Sequence, residues 1–291
     1  MQQTITIAGG TQQPLIVNRL GYGTMRLTGE HIYGEPPRRD EALEILKHVV
    51  NNRVNFLDTA DYYGDDVTNR LIKEALYPYT NDLVICTKVG ATRKPDTSWI
   101  PFNKPEQLRI AIDRNLSTLQ IEQVQLVHFR VLPGSDVPFK ESMEAMFEMQ
   151  QEGMILHVGV SNVTREELET AMQMGHVATV ENMYGHGQRT TIQTPYGENR
   201  DGEELLDICE ANSIPLIPYF SLLNSLSKND DRITTIAEKY GASAAQINIA
   251  WLRSRSAWIL PIPGTSSLNH YKENLAAASI QLSAEDMKFL N

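Results

Sequence analysis

Eight times along the chain, a short apolar run is followed by a stretch with helical spacing. No other feature restricts the fold as much. The runs begin at about Arg19, Val54, Leu83, Val124, Ile155, Thr179, Ile214 and Ala257. Leu83-Val84-Ile85-Cys86-Thr87 is typical: apolar on both faces and rich in β-branched residues, as a strand covered on both sides must be. Between the runs, Ala42, Ile45, Leu46, Val49 and Val50 form one helical stripe, and Leu108, Ala111, Ile112, Leu116 and Leu119 another. Met143, Met146, Phe147 and Gln150 open a third, closed by Gly153. Further helices are expected over 203–212, 231–240, 243–254 and 267–277. Strand and helix alternating in this way predict an α/β fold, a closed (β/α)8 TIM barrel. The rival doubly wound sheet announces itself by GxGxxG after its first strand. Gly21-Tyr22-Gly23 and Gly185-His186-Gly187 both lack the third glycine.

The 291 residues suit one such barrel, read as a single domain over 1–291. Ahead of it, Thr4-Ile5-Thr6-Ile7 followed by Gly9-Gly10 predicts a short N-terminal β-hairpin with a Gly-Gly turn, placed to plug the bottom of the barrel. Three irregular stretches, Thr28–Arg38, Gly90–Lys104 and Gly185–Arg200, each follow a strand. Loops in that position build the active face of a barrel, so these are the expected substrate loops.

The net charge of −10 disfavours nucleic acid and anionic lipid as partners, because both need clustered Lys and Arg. A phosphate-bearing ligand would have to be met by backbone N–H groups or a helix N-terminus. Two cysteines, Cys86 and Cys209, make no disulfide framework and no CxxC metal pair, and no metal site is expected. With no signal-like segment and no long apolar run, the expected location is the cytoplasm.

Polar residues at strand C-termini are where a barrel keeps its chemistry. The second strand runs into Asp58 and then Tyr63, the third into Lys88, the fourth into His128. A phenol titrates near 10, and an adjacent ammonium pulls that value down. An aspartate would keep the lysine charged, and an imidazole would hydrogen-bond a substrate oxygen. Together these groups could protonate a developing alkoxide. Two other readings stay open. One is a Schiff-base lyase using Lys88, which needs a neutral amine and is opposed by Asp58. The other is a nucleotide-binding regulatory subunit that keeps the site and not the turnover. Gly159-Val160-Ser161-Asn162-Val163 misses the last glycine of a GxSxG elbow. His186 is expected in a solvated loop, and Cys86 in the core.

The series Asp58-Thr59-Ala60-x-x-Tyr63-Gly64, Lys88 and His128 resembles the catalytic tetrad of the aldo-keto reductases, and the similarity runs in order along nearly the whole chain. Gly21-Tyr22-Gly23-Thr24-Met25 resembles the family's first-strand turn, and Val158-Gly159-Val160-Ser161-Asn162 its GVSN motif. Pro215-Leu216-Ile217-Pro218-Tyr219 resembles the seventh strand, and Ile262-Pro263-Gly264-Thr265-Ser266 with Glu273-Asn274 the last cofactor loop and helix. The resemblance implies a barrel that reduces aldehydes and ketones with NADPH (NADP+ on return), and a small carbonyl compound as substrate. By position, Tyr63 is the implied proton donor, Lys88 lowers its pKa, Asp58 pairs with Lys88 and His128 orients the carbonyl. Ser161, Asn162 and Glu181 are implied at the nicotinamide carboxamide, with Tyr219 stacked on the ring. Gly23, Thr24, Met25, Asp58 and Leu222 would line the cofactor, and Gly264, Thr265, Ser266, His270, Glu273 and Asn274 its adenosine end.

Three departures from the family pattern alter these expectations. Glu181 stands where the family usually has glutamine, and a carboxylate accepts but cannot donate. His270 stands near a phosphate-gripping arginine of many members, and is a weaker phosphate partner at neutral pH. After Tyr219, Phe220-Ser221-Leu222-Leu223 replaces Ser-Pro-Leu, which changes the loop over the pyrophosphate. Ala75-Leu76-Tyr77-Pro78-Tyr79 and Ile259-Leu260-Pro261-Ile262-Pro263-Gly264-Thr265-Ser266 resemble the bacterial pyridoxal reductase branch, which makes pyridoxal an expected substrate.

Overall fold

The computed structural model describes residues 3–189, 192–194, 197–199, 202–222 and 230–291. The hairpin comes first: β1 (Thr4–Ile7) and β2 (Leu15–Asn18) pair antiparallel, Ile5 opposite Val17. Its connection differs from the expected Gly-Gly turn. It spans seven residues, 8–14, and the left-handed residue is Ala8 (φ 53°).

The parallel strands follow in chain order: β3 (Tyr22–Gly23), β4 (Phe56–Asp58), β5 (Val84–Arg93), β7 (Val124–Arg130), β8 (Ile155–Ser161) and β9 (Val177–Glu181). β6 (Trp99–Phe102) turns back antiparallel on the far end of β5. The stretch Gly90–Lys104, read as irregular, is therefore largely a β-ribbon standing above the barrel mouth. The expected seventh and eighth strands contract to isolated parallel bridges, Val180 to Leu216 and Met183 to Tyr219 for the seventh and Leu216 to Ile259 for the eighth. Pro215 and Pro218 flank Leu216, and Pro261 and Pro263 follow Ile259. Proline offers no N–H to a ladder, so pairing cannot spread. The ring closes where Gly21 N–H donates to Pro261 O at 2.9 Å. The architecture is the expected (β/α)8 barrel with its N-terminal hairpin.

Helices cover the outside with the stripes read from sequence. Ala42, Ile45, Leu46 and Val49 are buried on Arg39–Asn51, and Leu108, Ala111, Ile112 and Leu119 on Pro105–Leu119. Met143, Met146 and Met149 are buried on Phe139–Gln151. Each large side chain so removed from water contributes about 1.5–3 kcal/mol. Inside the barrel, Phe56, Val84, Leu126, Ala178, Ile217 and Leu260 meet Ile5, Ile7 and Val17 of the hairpin in one cluster. The hairpin thus seals the N-terminal end, as expected. Polar inward-facing residues are left to the opposite end.

Candidate active site

Four strand ends converge there. Register sets Gly23 beside Asp58, Asp58 beside Cys86, and Lys88 beside His128. The outward-facing neighbours fix these backbones. Thr59 Oγ1 donates to Asn69 Oδ1 at 2.9 Å, Thr87 Oγ1 donates to Asn115 Oδ1 at 2.6 Å, and Asn69 Nδ2 links the two asparagines at 2.8 Å. The network is buried and each link is made, so it ties the ends of β4 and β5 to the helices behind them. Thr24, expected along the cofactor, serves the same scaffold: its Oγ1 and its N–H both donate to Asp58 O, at 2.9 Å each.

Lys88 is fully buried. Its Nζ donates to Asp58 Oδ1 at 2.5 Å and to Thr59 O at 3.1 Å, and lies 5.0 Å from the Tyr63 ring centroid. Burial alone would lower the amine, but Asp58 and then Glu181 outweigh it and hold Lys88 well above its ordinary value. Both carboxylates favour the ammonium, which opposes the neutral amine a Schiff-base lyase requires. Tyr63 is buried apart from a face that lines the cavity. Burial raises its phenol above the usual value, and Lys88 supplies the largest opposing pull. The expected lowering by Lys88 is therefore present as a contribution and overridden by desolvation.

His128 corrects the sequence reading. Its Nε2 accepts from Thr179 Oγ1 at 2.6 Å, and its Nδ1 lies 2.8 Å from Glu181 Oε2 and 3.3 Å from Cys86 Sγ. Both ring nitrogens are taken, the residue is fully buried, and it does not line the cavity. Burial lowers its pKa, against the pull of Glu181. An imidazole engaged on both sides in this way is not placed to orient a carbonyl in the cavity. Gly159 makes room for it: a Cβ there would stand 2.4 Å from His128 Cδ2 and 2.6 Å from Thr179 Oγ1. Arg130, two residues on and so on the same face of β7, reaches the cavity instead.

Glu181 lines the cavity, and its carboxylate also spans the cluster, with Oε1 3.5 Å from Lys88 Nζ and Oε2 2.8 Å from His128 Nδ1. Burial pushes it up, but Lys88 and then His128 prevail and keep it below the usual carboxylate range. Burial and then the Glu181 charge push the Asp58 carboxyl upward, against the pull of Lys88. Asp58, Cys86 and His128 bring ligand-type atoms within 4.8 Å of one another. All three are buried, and Lys88 and Glu181 already engage Asp58 and His128.

A cavity of about 790 Å³ opens above Asp58, Tyr63 and Glu181. Near the tyrosine its wall is aromatic: Tyr62 packs edge-on to Tyr63 and to Trp99, with centroids 5.4 Å apart in both pairs. Tyr219 faces the Arg130 guanidinium at 5.0 Å and donates its hydroxyl to Asn162 Oδ1 at 2.9 Å. Asn162 holds a left-handed conformation (φ 59°), donates to Val131 O at 2.8 Å and lines a neighbouring cavity of about 310 Å³. Ser161 is buried, its Oγ accepting from Arg130 Nη1 at 3.3 Å. Neither Ser161 nor Asn162 lines the main cavity; both reach it through Arg130 and Tyr219.

The far end of the cavity holds most of the expected cofactor residues. Gly23, Met25, Leu222, Gly264 and Thr265 line it, followed by His270, Glu273 and Asn274 on Leu268–Ala276. Gly23 and Gly264 pack backbone to backbone, and a Cβ on Gly264 would stand 2.4 Å from Gly23 O. A flat apolar wall, a glycine-lined turn and a helix start capped by Ser267 suit an elongated ligand with an anionic end. Ser266 is exposed and outside this lining.

The loops divide. Ile32 of the first lines the cavity, and Arg93 of the β5–β6 ribbon donates to Ile32 O at 2.9 Å and His31 O at 2.7 Å, so these two lean together over the mouth. The third, Gly185–Arg200, behaves otherwise where it is described. His186 is buried against Trp251 and donates from Nε2 to Leu290 O at 2.6 Å, in place of the expected solvated loop. Residues 190–191, 195–196 and 200, and Leu223 of the other loop, lie outside the described residues. Tyr62, Trp99 and Arg130 were not singled out from sequence. The alternation of β7 beyond His128 was the one local signal for Arg130.

A sequence model of the Aldo/keto reductase family matches residues 19–291. The chain is 36% identical over 280 residues to the pyridoxine 4-dehydrogenase of Escherichia coli (strain K12), covering 94% of each. It is likewise 36% identical over 272 residues to an uncharacterised oxidoreductase of Schizosaccharomyces pombe, covering 93% of this chain and 85% of that one. Among solved structures, a thermostable aldo-keto reductase crystallised with the inhibitor epalrestat matches with a TM-score of 0.82 at 29% identity, over 99% of this chain and 98% of the other. An aldo/keto reductase from Klebsiella pneumoniae in complex with NADP and acetate shares the fold, with a TM-score of 0.77 at 23% identity over 100% and 94% of the two chains.

Proposed function

The chain belongs to the aldo/keto reductase family, and we propose that it is an NADP-dependent oxidoreductase that reduces the carbonyl of an aldehyde or ketone to an alcohol. Pyridoxal is the first candidate substrate, by similarity to the Escherichia coli pyridoxine 4-dehydrogenase. NADPH, when bound along the far end of the cavity, supplies the hydride. Gly23, Gly264, Thr265 and Asn274 would hold it there, with Tyr219 against the nicotinamide.

Tyr63 gives its hydroxyl proton to the carbonyl oxygen as the new C–H bond forms, so that no free alkoxide is released. Lys88, fixed by Asp58, Thr59 and Glu181, stabilises the phenolate left behind, and bulk solvent restores the proton. His128 acts at one remove, by orienting Glu181. The observation that carries the reading is Lys88 Nζ 2.5 Å from Asp58 and 5.0 Å from the centre of the Tyr63 ring, beneath the cavity of about 790 Å³. We read residues 1–291 as one domain acting in the cytoplasm on small molecules. The net charge of −10 agrees with this, and among the described residues no helix is long and apolar enough to cross a membrane.

The test mixes protein, NADPH and a panel of aldehydes that includes pyridoxal, and follows loss of reduced-cofactor absorbance. The expected result is consumption with at least one aldehyde. Tight NADPH binding without consumption by any carbonyl compound would overturn the enzymatic reading in favour of a regulatory subunit.

A further inference from the structure

Two polar groups beside Tyr63 are unused by the hydride-transfer scheme. Arg130 is held in the wall of the cavity, where its guanidinium has a serine hydroxyl at 3.3 Å and a tyrosine ring face at 5.0 Å. No carboxylate lies within ion-pair distance of it among the described residues, and Glu181 acts on it only from farther off. A guanidinium offers five donors in a planar fork that matches two oxygens. Its contacts with the Ser161 hydroxyl and the Tyr219 side chain leave most of that fork open.

Tyr62 is the second group. It is 2% exposed, it lines the same cavity, and its hydroxyl has no hydrogen-bond partner. Buried phenols ordinarily find one. The two line one cavity, and Arg130 acts on the Tyr62 phenol more strongly than Lys88 does. The surrounding surface is aromatic, with Trp99 and Tyr63 edge-on to Tyr62 and Phe220 edge-on to Tyr219.

We propose that Arg130 and Tyr62 form a second oxygen subsite, which selects aromatic aldehydes carrying an acidic hydroxyl beside the carbonyl. Resting on the reductase reading above, the inference assigns the carbonyl oxygen to Tyr63 and the neighbouring hydroxyl oxygen to Arg130 and Tyr62. The guanidinium favours the ionised form of that hydroxyl, and the Tyr62 O–H donates to the same oxygen. A flat ring between Trp99 and Tyr219 holds both oxygens on one edge. Simple aldehydes would enter but leave the fork unmet.

The experiment compares 2-hydroxybenzaldehyde, 2-methoxybenzaldehyde and benzaldehyde with wild type, Tyr62→Phe, Arg130→Met and Arg130→Lys. It measures kcat/KM with NADPH and, independently of turnover, affinity for the protein–NADP+ complex by calorimetry. Methylation removes the acidic hydrogen while keeping the oxygen, and ratios within each variant cancel the differing reactivity of the three aldehydes. Wild type should favour the hydroxy over the methoxy compound by at least about tenfold in affinity, the scale of one charge-assisted hydrogen bond. Tyr62→Phe and Arg130→Met should each shrink that ratio to within about twofold, and Arg130→Lys should restore part of it. Equal affinities and rates for the three aldehydes in wild type would overturn the subsite and leave the reductase reading standing. Absence of turnover with an intact, Arg130-dependent affinity ratio would do the reverse.

Discussion

Glu181 Oε2 lies 2.8 Å from His128 Nδ1, and this contact ties a cavity-lining carboxylate to an imidazole that is fully buried inside the barrel. The other oxygen of Glu181 reaches Lys88 at 3.5 Å, so the ammonium beneath Tyr63 answers to two carboxylates. Glu181→Gln keeps an acceptor for His128 and removes one negative charge. That charge is the second cause, after burial, of the raised Asp58 carboxyl. Its loss should bring the Asp58 pKa down. The limb of the kcat–pH profile that reports this group should move to lower pH, with little change in fold stability. A profile unchanged from wild type would show that the Asp58–Glu181 coupling does not reach the proton transfer.

Gly159 is required by the imidazole next to it. Gly159→Ala puts a methyl group where His128 Cδ2 would be 2.4 Å away and Thr179 Oγ1 2.6 Å away. Thermal unfolding should show a loss of about 1–3 kcal/mol, the usual cost of overpacking a core. Retention of wild-type stability would mean that the ring has room to shift.

Asp61 supplies a pH dependence of opposite sign to that of a salt-bridged acid. It is 5% exposed, its Oδ1 lacks a hydrogen-bond partner, and burial pushes its carboxyl up to about 8. The folded state therefore holds a proton that the unfolded chain has released, across the window from about 4 to about 8. In that window the unfolded state binds fewer protons, so stability falls as pH rises. Asp61→Asn should leave stability at pH 4 almost unchanged. At pH 8 it should raise stability by on the order of 2 kcal/mol, the scale of an unmet buried polar group. Denaturant melts at the two pH values check this.

His270 lines the far end of the cavity on the first turn of its helix, beside Glu273. If that end holds the 2′-phosphate of NADPH, His270→Arg adds a permanent forked donor. Affinity for NADPH should tighten by up to about tenfold, with NADH unaffected. Fluorescence titration with both nucleotides reads the difference. Equal effects on the two would place the phosphate elsewhere.

The barrel was legible because its parallel strands are apolar on both faces, as at Leu83–Thr87, and its helices carry their own stripes. Asp58 was legible because it ends β4, and Lys88 because it is the one charge that interrupts the apolar run from Leu83. His128 was harder. It and Arg130 share a face of β7, and which of them stands at the mouth depends on how far the neighbouring strands rise, a property of the closed ring that no local pattern records. Glu181 meets Lys88 from three barrel strands away, so its role arises only on closure. His186 is buried by Trp251 and the C-terminal residues, which lie far along the chain. The shortness of the seventh and eighth strands could have been read from Pro215, Pro218, Pro261 and Pro263.

The account rests on Tyr63 as the proton donor, and Tyr63→Phe tests it most directly, since it keeps the ring over Lys88 and removes only the hydroxyl. Turnover of the preferred aldehyde with NADPH should fall by at least about 10²-fold, while NADPH affinity stays within about twofold of wild type. An unchanged turnover number in a folded Tyr63→Phe protein would contradict the account.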